Sequence, residues 1–177
     1  MKHFLILISA MLVSACELQL PDGDVRVINT ALQYQGLHEE DDNQQLQEYL
    51  GVDPSQTEWC AAFVNNVLDE SDIPSLESEG YEYPLLAKGY FNWGYRVDKT
   101  EIQIGDVVVF PRVDGDSWQG HVGFYMGTTW DGWWNILGGN QNDKVGINRY
   151  KPQDALQVRR HPEMVNTFAT TSPDQPQ

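Results

Sequence analysis

The hydrophobic period changes once along this chain, and that change limits the folds open to it. Before Gly105 the apolar residues recur at helical spacing; after it they fall in short β-rich runs divided by Gly, Asp and Asn turns. In TEWCAAFVNNVL, residues 57–68, the side chains of Cys60, Phe63, Val64, Val67 and Leu68 stand at i, i+3, i+4, i+7 and i+8. One stripe of a helix therefore faces a core, with Cys60 at its head. Ser55 or Thr57 is in place to cap this helix, and Pro74 lies beyond its end. NQQLQEYL, residues 43–50, follows the carboxylates Glu39, Glu40, Asp41 and Asp42, which suit a helix start, while Gly51 suits its end. That acidic cluster reads as a solvated helix start, not a metal site. Residues 25–38 form a first helical segment, and residues 85–93 a short later helix closed by Gly94. DVVVF (106–110), HVGFYM (121–126), WNIL (134–137), VGINRY (145–150) and ALQVRR (155–160) read as strands. Helices first and strands after, with short connections, predict an α+β domain whose small antiparallel sheet carries the N-terminal helices on one face.

The N-terminus has the pattern of an export signal. Lys2 precedes the apolar run FLILISAMLV, residues 4–13, and the small residues Ser14 and Ala15 follow, a stretch too short to span a bilayer as a helix. VSAC, ending at Cys16, resembles the lipobox of bacterial lipoproteins, in which cleavage leaves an acylated cysteine as the first residue. The expected boundaries are a signal peptide over 1–15, a tether over 16–27, the folded domain over 28–162 and a disordered polar tail over 163–177. Lipidation at Cys16 implies anchoring in the periplasm, and Glu17, in place of an aspartate, points to the outer membrane of a two-membrane envelope. The alternative is an ordinary cleavage site with an incidental cysteine.

A formal net charge of −15 excludes a nucleic-acid partner, because no basic stripe exists to neutralise phosphates. It also disfavours electrostatic adhesion to anionic membranes, so the hold on the envelope falls to the lipid, where several acyl chains anchor stably and one does not. The domain is expected to be a monomer. With Cys16 acylated, Cys60 is the lone thiol of an exported chain. A Cys16–Cys60 disulfide would hang a geometrically demanding bond on a flexible segment.

A cysteine at a helix N-terminus faces amides with unused hydrogen-bonding capacity and the positive end of the helix dipole, which favours its thiolate and makes it a candidate nucleophile. Of four histidines, His3 leaves with the signal, His38 sits in an acidic stretch and His161 lies beside Pro162. His121 opens a strand in GHVGFYMG, where alternation groups it with Gly123 and Tyr125, and the missing side chain at Gly123 would let the Cys60 helix approach. An imidazole base is most effective when a third group fixes its tautomer. In GGNQN either Asn140 or Gln141 can accept a hydrogen bond from the far nitrogen of His121, and Asn140 is favoured.

The segments EWCAAFVNNVL, GDVVVF, GHVGFYMG and ILGGNQNDKVGINRY resemble, in order and rough spacing, the NlpC and CHAP (cysteine, histidine-dependent amidohydrolase/peptidase) group of bacterial and phage enzymes. The similarity is greatest to a small subfamily with tryptophan before the cysteine and GGNQ near the end. It runs from about Gln44 to Tyr150. It implies a papain-like α+β fold and hydrolysis of amide bonds in peptidoglycan, the cell-wall polymer, within the stem peptide or at its junction with the sugar. Residue by residue, Cys60 matches the nucleophile, His121 the general base and Asn140 the orienting residue. The chain lacks a sugar-binding repeat module and the acidic calcium loop of some CHAP enzymes, so no metal is expected and the chemistry needs no cofactor. The loop VDGDSWQG, with Asp114 and Asp116, reads as a polar turn.

Trp59 and Trp93 are expected in the core, while Trp118, Trp130 and Trp133, near turns around the His121 and Asn140 strands, are candidates for the substrate cleft together with Gln141. Two other functions fit the same residues: a catalytically silent envelope-binding lipoprotein, and an amidase or acyltransferase using another acceptor; the hydrolase reading itself covers phage lysis as well as a cellular role.

Overall fold

The computed structural model describes residues 23–112 and 118–164. Cys16, the signal segment and residues 165–177 lie outside the described residues, whereas Glu163 and Met164, assigned to the tail, belong to a 3-10 turn, Pro162–Met164, that buries Met164 against the core. Among the described residues no helix is long and apolar enough to cross a membrane.

Three helices precede the sheet. α1, Val25–Leu32, begins inside the stretch assigned to the tether, because Val27, Ile28 and Ala31 are buried and draw it into the core. Its N-cap, Asp24, accepts a hydrogen bond from the Arg26 amide at 2.9 Å. α2, Asn43–Leu50, closes on Gly51 in the left-handed conformation at φ 70°, as the sequence suggests. α3, Cys60–Glu70, has Cys60 as its first residue. Neither Ser55 nor Thr57 caps it: the N-cap is Trp59, whose side chain makes no capping hydrogen bond, and Ser55 instead donates its hydroxyl to Asp53 at 2.7 Å in a local turn. The segment expected as a helix over 85–93 is a 3-10 helix over Ala87–Asn92.

Six strands form one antiparallel sheet. They are β1 Tyr95–Val97, β2 Val107–Pro111, β3 Gly120–Thr128, β4 Trp134–Gly138, β5 Gly146–Tyr150 and β6 Gln157–Arg160, in the order β1-β6-β2-β3-β4-β5. The sequence reading omits β1, a three-residue strand whose signal is too short for alternation to register. On one face Val107, Val109, Val122, Phe124 and Leu137 pack with Phe63, Val64 and Val67 of α3. On the other, Val108, Phe110, Tyr125, Ile136 and Val158 form a second cluster. Both faces of β2 are buried, which is why DVVVF is continuously apolar and not alternating.

Polar tethers fix loops to this frame. Asn65 of α3 is fully buried; it accepts a hydrogen bond from the Tyr90 hydroxyl at 2.6 Å and donates to the Pro84 carbonyl at 3.0 Å. Asp106 is buried beneath Arg160, whose Nε donates to it at 2.6 Å. Trp59 and Trp93 are fully buried, and their indole N–H groups donate to Glu39 and to the Pro74 carbonyl.

Candidate active site

α3 covers one face of the sheet, and His121 stands with Phe110 and Tyr150 on the other. The imidazole stacks on Tyr150 at 5.7 Å between centroids and 11° between planes, and Tyr150 stacks on Phe110 at 4.3 Å. Cys60 and His121 border one cleft, at a place where the sheet is not fully paired. The registered pairing of β3 with β4 begins only at Phe124, opposite Leu137, so the first residues of β3 are not registered against β4. Into that gap comes the head of α3, and the Val122 amide, with the Ala61 amide, points at the Cys60 sulfur.

The glycine that permits this approach is Gly139, not Gly123. A Cβ at Gly139 would lie 2.5 Å from Cζ3 of Trp59 and 2.6 Å from Cβ of Phe63, whereas one at Gly123 would strike Ile136 and the Leu137 carbonyl. Gly123 thus makes room for β4, and Gly139 for the cysteine helix.

Burial dominates the electrostatics of the pair. It pushes the Cys60 thiol up to about 11, although the two amides and Arg112 act in the opposite direction. Burial, with help from the Arg112 charge, pushes His121 down to about 4, while Gln141 pulls it up. The helix N-terminus therefore favours the thiolate as expected, but desolvation is larger, and near neutral pH both groups are uncharged.

Gln141, buried, is held in one orientation. Its Nε2 donates to the carbonyls of Gly146 at 2.6 Å and Ile136 at 3.0 Å, so the amide cannot be flipped without opposing oxygen to oxygen. Its Oε1 accepts from the Tyr150 hydroxyl at 3.1 Å and keeps a second lone pair. Burial pushes the Tyr150 phenol up to about 12, so it remains a donor. Gln141 is the side chain whose hydrogen bond raises the His121 pKa, yet His121 Nε2, buried, makes no hydrogen bond of ordinary geometry among the described residues. Asn140, with φ 53°, turns the other way: its Nδ2 donates to Glu58 at 2.8 Å. Glu58 also pairs with Arg112.

Cys60, His121, Arg112, Asn140, Gln141 and Tyr150 all border one cleft of about 500 Å³. Trp118, 59 % exposed, borders an adjoining space of about 270 Å³ that also reaches Cys60. The other two tryptophan candidates lie elsewhere. Trp130 is 98 % exposed, and Trp133 lies beneath Arg149 and Lys151 at 5.2 and 5.3 Å; neither borders the cleft. Gln141 borders the cleft, with its amide nitrogen committed to the β4–β5 turn and its oxygen accepting from Tyr150. Sequence reasoning missed Tyr150, Glu58 and Arg112; VGINRY signalled only a strand, and the Glu58–Arg112 pair joins segments distant in sequence. Among the described residues no three His, Cys, Asp or Glu side chains cluster as metal ligands would.

A helix headed by cysteine and packed on a six-stranded antiparallel sheet, with histidine opening a neighbouring strand, defines a papain-like α+β domain. The CHAP domain profile matches residues 52–142, just over half of the 177 residues, and the chain belongs to the CHAP family. No curated protein matches it. CHAP domains are typically amidases or peptidases acting on peptidoglycan, and a peptidoglycan hydrolase-type function follows for this chain.

Proposed function

We propose that this protein hydrolyses an amide bond in the peptide part of peptidoglycan by a thiol mechanism in which Cys60 is the nucleophile, His121 the general base and Gln141 the residue that orients His121. The observation that carries the reading is that Cys60 and His121 line the same cleft, with two amides aimed at the sulfur. Gln141 takes the orienting role favoured above for Asn140, because its amide is locked with Oε1 available to a donor. Nε2 of His121, being buried, suits the N–H directed at Gln141, which leaves Nδ1 as the basic nitrogen.

From two neutral groups the reaction starts with proton transfer. Nδ1 takes the thiol proton as Sγ attacks the carbonyl carbon, and the Cys60 amide, at an uncapped helix N-terminus, donates to the developing oxyanion. The C–N bond breaks, the leaving amine takes the proton from His121, and water hydrolyses the thioester. The export signal and VSAC support placing this activity in the envelope, anchored through Cys16 in the outer membrane, with the protein as a monomer; metabolic labelling with a fatty acid, lost in Cys16→Ala, tests the anchor.

The direct test is the release of new amine and carboxyl ends from purified peptidoglycan. Intact protein is expected to generate them, and Cys60→Ala and His121→Ala are not. Activity retained in either folded variant removes the thiol mechanism. No activity in the intact, folded protein favours the silent binding reading.

A further inference from the structure

Three of the eight exposed large hydrophobic side chains among the described residues, Tyr83, Leu85 and Trp118, gather in one place. With Glu82, Pro84 and Leu86 they line an open apolar groove of about 590 Å³. Single exposed apolar side chains are ordinary on a protein surface, but a contiguous groove of them marks a binding site. This groove is already formed. Asn65 of α3 donates to the Pro84 carbonyl at 3.0 Å and the Leu86 amide donates to the Tyr83 carbonyl at 3.1 Å, so the wall over residues 83–86 is tied to the helix that Cys60 heads. Trp118 reaches the groove from the start of β3, which packs on the 3-10 helix so closely that a Cβ at Gly120 would lie 3.2 Å from Cγ of Lys88. Tyr83 is 65 % exposed and its hydroxyl donates to Glu82, so the ring is what this residue offers a ligand.

Exposed aromatic rings beside aliphatic walls suit one backbone form above others. A polyproline II segment presents proline rings at i and i+3 on one side, about 9 Å apart, has no internal hydrogen bonds to lose and gives up little conformational freedom on docking. The chain holds one pair of prolines at that spacing, Pro173 and Pro176 in SPDQPQ. We propose that the groove formed by Tyr83, Leu85, Leu86 and Trp118 binds a Pro-x-x-Pro segment, and that its occupant is residues 173–176 of the same chain. In that form Asp174 and Gln175 fall on the other two faces of the three-residue turn and stay in water. The reach is sufficient. The Met164 amide donates to the His161 carbonyl at 3.0 Å, and His161 Nε2 lies 3.6 Å from Glu79, three residues before Glu82 on the groove wall. Nine residues lead from Met164 to Pro173, and they extend to about 30 Å. A tether this short keeps the segment near the groove at an effective concentration on the order of millimolar, which offsets the weakness of a two-proline contact.

Docking there bears on the cleft. Leu85, Leu86 and Trp118 also line the space beside Cys60, together with the polar Gln56, Thr57 and Gln119. A segment seated on the three shared side chains covers one approach to the cysteine, so the tail restrains the enzyme; this consequence rests on the hydrolase reading above. A segment docked for about two thirds of the time leaves about one third of the molecules open and lowers the rate about threefold.

The test is NMR of the full chain, whose six tryptophans give six indole N–H signals, with that of Trp118 assigned from Trp118→Phe. The double variant Pro173→Ala/Pro176→Ala is expected to shift the Trp118 signal and leave the other five in place, and the free peptide TSPDQPQ, added at millimolar concentration, to shift it back. An unmoved Trp118 signal overturns the docking. A Trp118 signal that depends on protein concentration in the native chain overturns docking within one chain and assigns the segment to the groove of a second copy. On peptidoglycan the double variant is expected to release new ends about threefold faster than the native chain. Equal rates overturn the restraint and leave the docking in place. New ends from neither protein overturn the hydrolase reading and the restraint with it, while the indole signal still decides the docking.

Discussion

The single oxygen of Gln141 accepts from Tyr150 and has a second lone pair free for His121 in the proposed mechanism, and the carbonyls around its Nε2 leave the amide no alternative orientation. Gln141→Ala should therefore lower kcat on the order of 10²-fold, with a flatter dependence on pH, while Asn140→Ala, which removes a partner of Glu58, should cost far less; steady-state kinetics of the two variants separate them. Gln141→Glu should raise the His121 pKa and move the acidic limb of the rate profile to higher pH. A thiol held near 11 predicts slow alkylation of Cys60 at pH 7, with a rate that climbs toward pH 11 as thiolate forms, measurable with iodoacetamide and mass spectrometry. A rate already maximal at pH 7 would show that the resting pair is ionised. Cys60 and His121 were legible in the sequence because one heads a helical stripe and the other opens an alternating strand. The choice between Asn140 and Gln141 was not: neighbouring amides have the same chemistry, and the left-handed backbone at Asn140, which turns the two side chains apart, leaves no periodic trace.

Among the elements, α3 and the turn that follows β4 share a contact so close that only a glycine fits. Gly139→Ala should destabilise the fold by about 1–3 kcal/mol in denaturant titrations, and should reduce activity in the surviving folded fraction, because the Cys60 helix is forced back from the sheet. A variant with unaltered kcat would mean that the opening between β3 and β4 is not what sets the cysteine. The helix boundaries of α2 and the positions of β2 to β6 could be read from period and turn residues. Two features could not. β1 pairs with β6, a long-range contact, and the 85–93 segment tightens into a 3-10 helix where Gly89 passes close to Leu76 and the Tyr83 carbonyl. The far-side stack of Phe110, Tyr150 and His121 was invisible for the same reason: three strands contribute one residue each.

For the molecule as a whole, the neutral pair at the centre ties stability to pH at both ends. The unfolded chain binds a proton at His121 near 6.5 and the folded chain only near 4, so stability is lost as pH falls through that window, by up to about 3 kcal/mol. Cys60 acts in reverse: the folded protein keeps its proton between about 9 and 11, and stability falls as pH rises through that range. Urea midpoints measured from pH 4 to 7 should show a steeper loss for the native chain than for His121→Gln; parallel curves would contradict the buried neutral imidazole. The sheet order has a consequence in time. β6 lies between β1 and β2 and pairs with both, so two strands made early wait for one made late. Until residue 160 has left the ribosome, β1 has no neighbour and the outer edge of β2 stays bare, and non-local pairing of this kind closes slowly. In a chain of this design the strand made last is the one that joins the two parts of the sheet, so the frame that carries the cleft closes only when the chain is nearly complete.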